Sequence, residues 1–430
     1  MRELTDSGCP WVGKIPENWT VKKVKFLIES GENGMKIGPY GSALKGKTLS
    51  DGPVKIYNQA NLIADDFDFA RHFISEESYK ELQNYTINAG DILFSMMGTI
   101  GKCKIMPDNK PLGIMDSHLL KARLTEEVLP RFFLYAFDKD LNPITLEQLI
   151  FKSNGSIMNG LNSTVVKTTE LAIPTLPEQH AIVAYLDEKC AAIDESIQKR
   201  KEIIEKLQEY RKAVITQAVT KGLNSSLKDT GGYDEIHWFG NVPNGWKISK
   251  LKHEVILRRA KATDKSNYIG LENIESFTGR RVGEQLDPEG EAIVFKKGDV
   301  LFGKLRPYLS KSLSVNEDGC CSGEILVMKP KQIDQSYLLY ITLSETFVKR
   351  VDISTYGTKM PRANWEFIGN MLIPVPPLSE QRKIAAHLDE KCLNIDTMLS
   401  KQQTIIDKLE EYKKSIIYNA VTGKIDCRPS

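Results

Sequence analysis

Hydrophobic positions along the chain follow two alternating regimes. Short apolar runs bounded by Gly, Asp and Pro fill residues 1–176 and 223–376, whereas heptad-spaced apolar residues fill 177–222 and 377–430. In the first heptad stretch, Leu186, Ile193, Leu207 and Val214 fall on one seam position and Ile197, Ile204 and Ala218 on the other. In the second, Leu388, Ile395, Leu409 and Ile416 pair with Leu399, Ile406 and Ala420. This spacing predicts two long helices packed as a coiled coil, its seam interrupted by Arg200, Arg211, Gln402 and Lys413. About 45 residues at 1.5 Å each make a helix roughly 65 Å long, too two-faced to stand alone.

The two helices are copies. Leu186-Asp187-Glu188-Lys189-Cys190 returns 202 residues later as Leu388-Asp389-Glu390-Lys391-Cys392, and Ala218-Val219-Thr220 returns as Ala420-Val421-Thr422. A register held without a gap marks a rigid element, with its own repeat as the natural partner. The preceding regions echo each other more loosely, at offsets of 227, 208 and 202. Trp11 to Trp19 resembles Trp238 to Trp246, and Gly90-Asp91-Ile92-Leu93-Phe94 resembles Gly298-Asp299-Val300-Leu301-Phe302. Gly-Asp before an apolar run reads as a turn entering a buried strand. Apolar helices are expected at Pro130 to Phe137 and Gln335 to Leu343, followed by Gly-containing loops at 153–162 and 355–364. Prolines at Pro174, Pro177, Pro374, Pro376 and Pro377 then end a strand and launch each long helix. The expected fold is α+β: mixed α/β domains at 1–176 and 223–376, separated by helices at 177–222 and 377–430. If a pseudo-twofold axis relates the halves, the helices pack antiparallel; the alternative is that each packs separately on its own domain.

Composition narrows the reading mainly by exclusion. The chain has 430 residues and a formal net charge of +2. Basic and acidic side chains number 20 and 21 in 1–176, and 21 and 19 in 223–376. Any nucleic-acid contact must therefore come from local patches. No apolar run approaches the roughly 20 residues of a membrane span, and the N-terminus carries no signal-like stretch. Seven cysteines without a Cys-x-x-Cys pair suit a reducing cytoplasm, not a disulfide framework or a zinc site.

Catalytic signatures are missing. Gly41 to Thr48 matches the phosphate-loop pattern formally, but polar Gly-rich sequence precedes it and Leu49-Ser50-Asp51-Gly52-Pro53 cannot continue a helix. The Asp-x-Lys strings at Asp187 and Asp389 are expected to be solvated helix faces with local charge pairing. The six histidines show no metal spacing. What remains is a set of polar loops. In the first half these offer Lys36, Tyr40, Lys45, Lys47, Asn58, Gln59 and Asn61. In the second they offer Arg258, Arg259, Lys261, Arg280, Arg281, Lys304, Arg306 and Tyr308, with Lys359 and Arg362 in the repeated Gly loop. Arg matches guanine edges and Asn or Gln adenine edges, while Lys holds phosphates, so these residues are candidates for DNA contact, the alternative for each loop being an ordinary exposed turn. The counterparts of Lys359 and Arg362 in the first half are the neutral Ile157 and Gly160.

The order of these features resembles the DNA-specificity subunit of type I restriction-modification enzymes over essentially the whole chain. The carrying residues are the Trp-x-Gly-x-Ile/Val-Pro-x-x-Trp openings, the two Gly-Asp-Ile/Val-Leu-Phe strands, Gly303 to Leu309, the Pro-x-x-Glu-Gln-type helix entries and the duplicated helices. The resemblance implies two target-recognition domains, each reading half of an asymmetric bipartite DNA target. The helix pair would set the spacer and dock two modification subunits. It implies no cofactor on this chain: S-adenosylmethionine would bind the modification subunits, while translocating restriction subunits would use ATP and magnesium. A coiled-coil scaffold that binds no DNA would explain the helices, but not two divergent loop-rich domains of matched order. An ATPase would require the 41–48 loop to hold a nucleotide.

Overall fold

The computed structural model describes residues 3–31, 34–97, 101–153, 161–223, 239–240, 242–264, 266–284, 290–357 and 359–428. Trp238, Asn241, Ile157 and Gly160 lie outside them. The chain divides into two units: residues 1–199 with 405–430, and residues 200–404. The long helices run over Leu176–Lys221 and Leu378–Val421, and each contributes one part to either unit.

In the first unit a four-stranded antiparallel sheet has the order Met35–Ile37, Leu119–Ala122, Ile92–Ser95, Cys103–Ile105. The second unit repeats it as Val255–Arg258, Ile325–Pro330, Val300–Gly303, Ser312–Ser314. The central strand is buried along its whole length in both, which explains its continuous apolar run. The Gly-Asp turn before it is also built twice. Gly90 and Gly298 sit at φ +81° and +91°, where a side chain would be strained. Asp91 and Asp299 each accept from a backbone N–H three residues back, of Asn88 and Lys296, at 2.8 Å. Both aspartates are 1% exposed and need a cation, but it comes from different places: from Arg123, just past the strand Leu119–Ala122, for Asp91, and from Arg258, on the strand Val255–Arg258, for Asp299.

A smaller mixed sheet accompanies each large one. In the first unit Val54–Tyr57 lies parallel to Gly113–Met115 and takes Phe73–Ile74 on its other edge. In the second, Tyr268–Ile269 lies parallel to Gly319–Ser322, and the added strand Ala292–Phe295 pairs with the latter instead. The shared parallel pair survives where the intervening sequence diverges.

Seam residues meet inside each unit. Leu186, Ile193, Ile197, Ile406 and Ile416 are buried in the first, with Leu409 half-buried. Leu388 and Ile395 are buried in the second, with Ile204, Leu207, Val214 and Leu399 half-buried. Each fully buried Leu or Ile contributes roughly 1.5–3 kcal/mol. The polar interruptions pair across the seam. Lys413 Nζ meets both carboxylate oxygens of Asp194 at 2.7 Å, Arg211 pairs with Asp396, and Arg200 donates to Gln402 at 2.8 Å. In the second unit, higher numbers on one helix meet lower numbers on the other (200 with 402, 211 with 396), so the pairing there is antiparallel. Polar seam residues select one register at some cost in stability.

The repeated Gln and Asp of the helices tie them to their own domains. Gln179 is fully buried: its Oε1 accepts from Leu129 N at 2.8 Å and its Nε2 donates to Glu127 O at 2.8 Å. Gln381 accepts from Asp334 N at 2.7 Å and donates to Pro376 O at 2.8 Å. Asp187 corrects the expectation of a solvated face. It accepts from the Tyr135 hydroxyl at 2.6 Å and Arg131 Nε at 2.9 Å, as Asp389 accepts from the Tyr340 hydroxyl at 2.6 Å. Burial, reinforced by the carboxylate, pushes both phenols well above the usual tyrosine range. These aspartates anchor the apolar helices Pro130–Phe137 and Gln335–Leu343.

Candidate nucleic-acid interface

In the second unit three loops meet where the central strand ends. Lys304 N donates to Glu324 O at 2.9 Å, Ala363 N to Lys304 O at 2.9 Å, and Arg306 N to Pro361 O at 2.8 Å. Isolated bridges join Arg362 to Leu305 and to Tyr356. Arg306 (φ +50°) and Ser310 (φ +48°) flank the tight turn Pro307–Leu309 in the left-handed region. Each such residue stores about 1–3 kcal/mol, held only because the surroundings dictate it. A cleft of about 360 Å³ opens here, lined among others by Arg258, Arg259, Lys304, Glu324, Tyr356 and Arg362.

The charges in and around this cleft are graded. Arg258 is committed to buried Asp299 at 2.6 Å. Arg362 makes two bonds to Glu324, at 3.1 and 2.9 Å, with 44% of its side chain exposed. Arg259, Lys304, Arg306 and Lys359 have no side-chain hydrogen bond or ion pair among the described residues. Tyr308 and Tyr356 are exposed beside them. Lys311 is half-buried, donates to Leu271 O at 2.6 Å, and is held below the usual lysine range by burial. The junction thus offers free cations and aromatic faces on a rigid frame, with one carboxylate as a competing partner for Arg362.

The remaining second-half candidates are already engaged. Lys261 pairs with Glu291 on the open surface, Arg280 with Asp396, and Arg281 donates to Asn267 Oδ1 at 3.0 Å and Tyr268 O at 3.3 Å. None of the three lines the cleft, and neither do Arg306, Tyr308 and Lys359, which differ from them in lacking a side-chain partner among the described residues (Arg306, Lys359) or in being an exposed aromatic (Tyr308).

The equivalent junction of the first unit repeats two of these three backbone bonds. Met96 N donates to His118 O at 2.9 Å, and Leu161 N to Met96 O at 2.8 Å. The side chains differ: Met96 stands for Lys304 and His118 for Glu324. His118 Nδ1 lies 3.0 Å from Asp116 Oδ2. Lys36 occupies the strand position of Arg258, its Nζ 5.1 Å from the Tyr85 ring centroid. Tyr40 is 81% exposed and Lys45 is exposed. The 41–48 string forms one short helix, Gly41–Leu44, and Lys47 is paired with Glu81. Asn58 caps the helix Gln59–Ala64 by accepting from Ala60 N at 2.8 Å, and Gln59 accepts from Ser95 Oγ at 3.4 Å.

Asn61 is removed from the base-reading set. It is 3% exposed, donates to Asp66 O and Phe69 O at 2.9 and 2.7 Å, and accepts from Asn58 N at 3.0 Å. Asn273 does the same work in the second unit, toward Val282 O, Glu284 O and Gly270 N. Aligning Tyr57 to Leu62 with Ile269 to Ile274 would have revealed this pair, because only the Asn recurs at the same place.

Among the described residues no cluster of His, Cys, Asp and Glu could hold a metal ion, and no helix is long and apolar enough to cross a membrane. A family model described as the type I restriction modification DNA specificity domain matches residues 16–206 and 243–411. The EcoDI specificity subunit of Escherichia coli is 24% identical over 434 residues, covering 96% of this chain and 90% of that protein. A putative MjaX specificity subunit of Methanocaldococcus jannaschii is 23% identical over 455 residues, covering 96% and 95%. Among solved structures, a chain of a type I R-M system superposes with a TM-score of 0.69 at 15% identity, covering 96% of this chain and all of that one. The HsdS subunit from Thermoanaerobacter tengcongensis gives 0.52 at 16% identity, covering 96% and 98%.

Proposed function

Because the chain belongs to the type I restriction-modification DNA-specificity family, we propose how its parts divide the work of a specificity subunit. It is a sequence-specific DNA-binding subunit, non-catalytic in itself, and its domains each read part of the target. The domains at 1–176 and 223–376 each read one half of a bipartite, asymmetric site. The helices at 177–222 and 377–430 set the unread spacer and dock two modification subunits. S-adenosylmethionine belongs to those subunits, and ATP and magnesium to the restriction subunits of the full complex, which works in the cytoplasm.

The observation that carries this reading is the loop junction built twice on one backbone scheme with different chemistry. Lys304, Glu324 and Arg362 stand in one copy, and Met96 and His118 in the other. Loops on a rigid frame are where recognition is varied without disturbing a fold. Free Arg259 and Arg306 suit guanine edges or phosphates, and Lys304 and Lys359 suit phosphates. Unlike junctions predict unlike half-sites, and two domains reading one face of a duplex would engage it about one helical turn apart.

Single-molecule methylome mapping of the host with the gene intact and deleted tests the reading. The expected result is loss of one bipartite, non-palindromic methylated-adenine motif. A palindromic motif, or a motif without an unread spacer, would overturn the two-reader assignment.

A further inference from the structure

The two equivalent aspartates of the helix pair, Asp194 and Asp396, are used differently. Among the described residues, Asp194 spends both oxygens on Lys413 alone, and it remains 56% exposed. Asp396 is 13% exposed and divides its oxygens between two arginines, Oδ1 to Arg211 on the facing helix and Oδ2 to Arg280 in the loop 275–281. The same loop is gripped again nearby. Arg211 Nη2 donates to Thr278 O at 3.2 Å, and Lys212 Nζ lies 4.3 Å from the ring centroid of Phe277. Gly279, at φ +77°, passes so close to the domain core that an added Cβ would sit 3.2 Å from Leu339.

The loop leads directly to the strained turn Arg306–Ser310 of the loop junction. Phe277, itself at φ +65°, donates its N–H to Ser310 O at 3.1 Å. Ser310 N in turn donates to Pro307 O at 2.8 Å, and Leu309 N to Arg306 O at 3.0 Å. A left-handed Arg306 persists only while its surroundings dictate that backbone, and Ser310 is one of the fixed points. A cavity of about 420 Å³ lies beside the junction of loop and helices, bordered by Gln208, Phe277, Arg280 and Leu399. The contacts that tie the loop to the helices include the Arg280–Asp396 pair, the Arg211–Thr278 bond and Lys212 over Phe277.

We propose that Asp396 is a positioning residue for DNA recognition by the second unit: through Arg280, Arg211 and the Phe277–Ser310 bond it sets the Arg306 turn. The geometry of that reading loop is governed from the helix face, a coupling that Asp194 does not supply in the first unit. The proposal rests on the reading that the 304–308 loop contacts DNA.

The test uses the full chain with its co-expressed partner subunits and compares Asp396→Asn, Arg280→Ala and Asp194→Asn. Hydrogen exchange reports the linkage without DNA. Asp396→Asn and Arg280→Ala are expected to speed exchange of the Phe277, Arg306, Leu309 and Ser310 amides about tenfold, whereas Asp194→Asn leaves them unchanged. Unaltered exchange at those amides in Arg280→Ala, where the side chain is 50% exposed, overturns the linkage. Binding to the mapped target and to single-base variants of each half-site reports the consequence. Discrimination at the second unit's half-site should fall about tenfold, with the other half-site unaffected and no further loss when Asp396→Asn is added to Arg306→Ala. Faster exchange with unchanged binding would keep the linkage and overturn the assignment of the loop to DNA. Additive losses, or equal losses at both half-sites, overturn the positioning role.

Discussion

The loop junctions of the two units show what a duplicated scaffold keeps and what it releases. Met96 and Lys304 make the same two backbone bonds, to His118 and Leu161 in one unit and to Glu324 and Ala363 in the other. A backbone bond is indifferent to the side chain it carries, so the frame survives while methionine replaces lysine and histidine replaces glutamate. The Gly-Asp turns teach the complementary lesson. Asp91 and Asp299 are both retained, because each carboxylate caps its turn and answers an arginine at once, yet Arg123 and Arg258 reach them from different segments. Geometry is inherited; the charge is re-sourced from another segment.

The largest expected effect tests the shared frame. Asp91→Ala and Asp299→Ala each remove a turn cap and strand a partly buried arginine, costing about 3 kcal/mol in their own unit. Hydrogen exchange resolved by unit is the suitable measurement, since one global melting point would merge the two. Protection lost in only one of the variants would break the equivalence. Next comes the released chemistry. Arg306→Ala should weaken DNA binding by about 1–3 kcal/mol and relax one position of a single half-site, measured by competition between variant duplexes. Uniform weakening across sequences, with a shallower salt dependence, would make Arg306 a phosphate contact and so shift the contrast between the units to Arg259. The smallest effect sharpens the boundary of the site. Lys261 and Glu291 are both about three-quarters exposed, so Lys261→Ala should change stability by no more than about 0.5 kcal/mol. A larger loss of stability in thermal unfolding would show that the surface pair is a structural element of the second unit.

Much of the architecture was legible before any coordinates, because periodicity is a local property. Heptad spacing marks Leu186, Ile193, Leu388 and Ile395 as seam residues, and the Gly-Asp signal marks Ile92–Ser95 and Val300–Gly303 as buried strands. The seam interruptions were visible as anomalies, but their partners were not. That Arg211 answers Asp396 and Lys413 answers Asp194 depends on which faces the packed helices present. Asn61 shows the limit of residue chemistry: an amide suited to adenine is equally suited to closing a helix cap, and burial chose the cap. Asp187 shows the same limit for charge, since only the approach of Tyr135 and Arg131 turns a surface carboxylate into an anchor.

By itself the sequence determined the duplication, the long helices, the core strands and the family resemblance, all of which follow from spacing that a chain carries along its length. Tertiary structure alone decided which cations remain free for a ligand. Arg258, Arg280, Arg281 and Arg362 read alike with Arg259 and Arg306 as loop arginines, and are separated only by the carboxylates and carbonyls that folding brings to them. A charge is neutralised through space by whatever lies within a few ångströms, and the identity of that neighbour is a property of the fold.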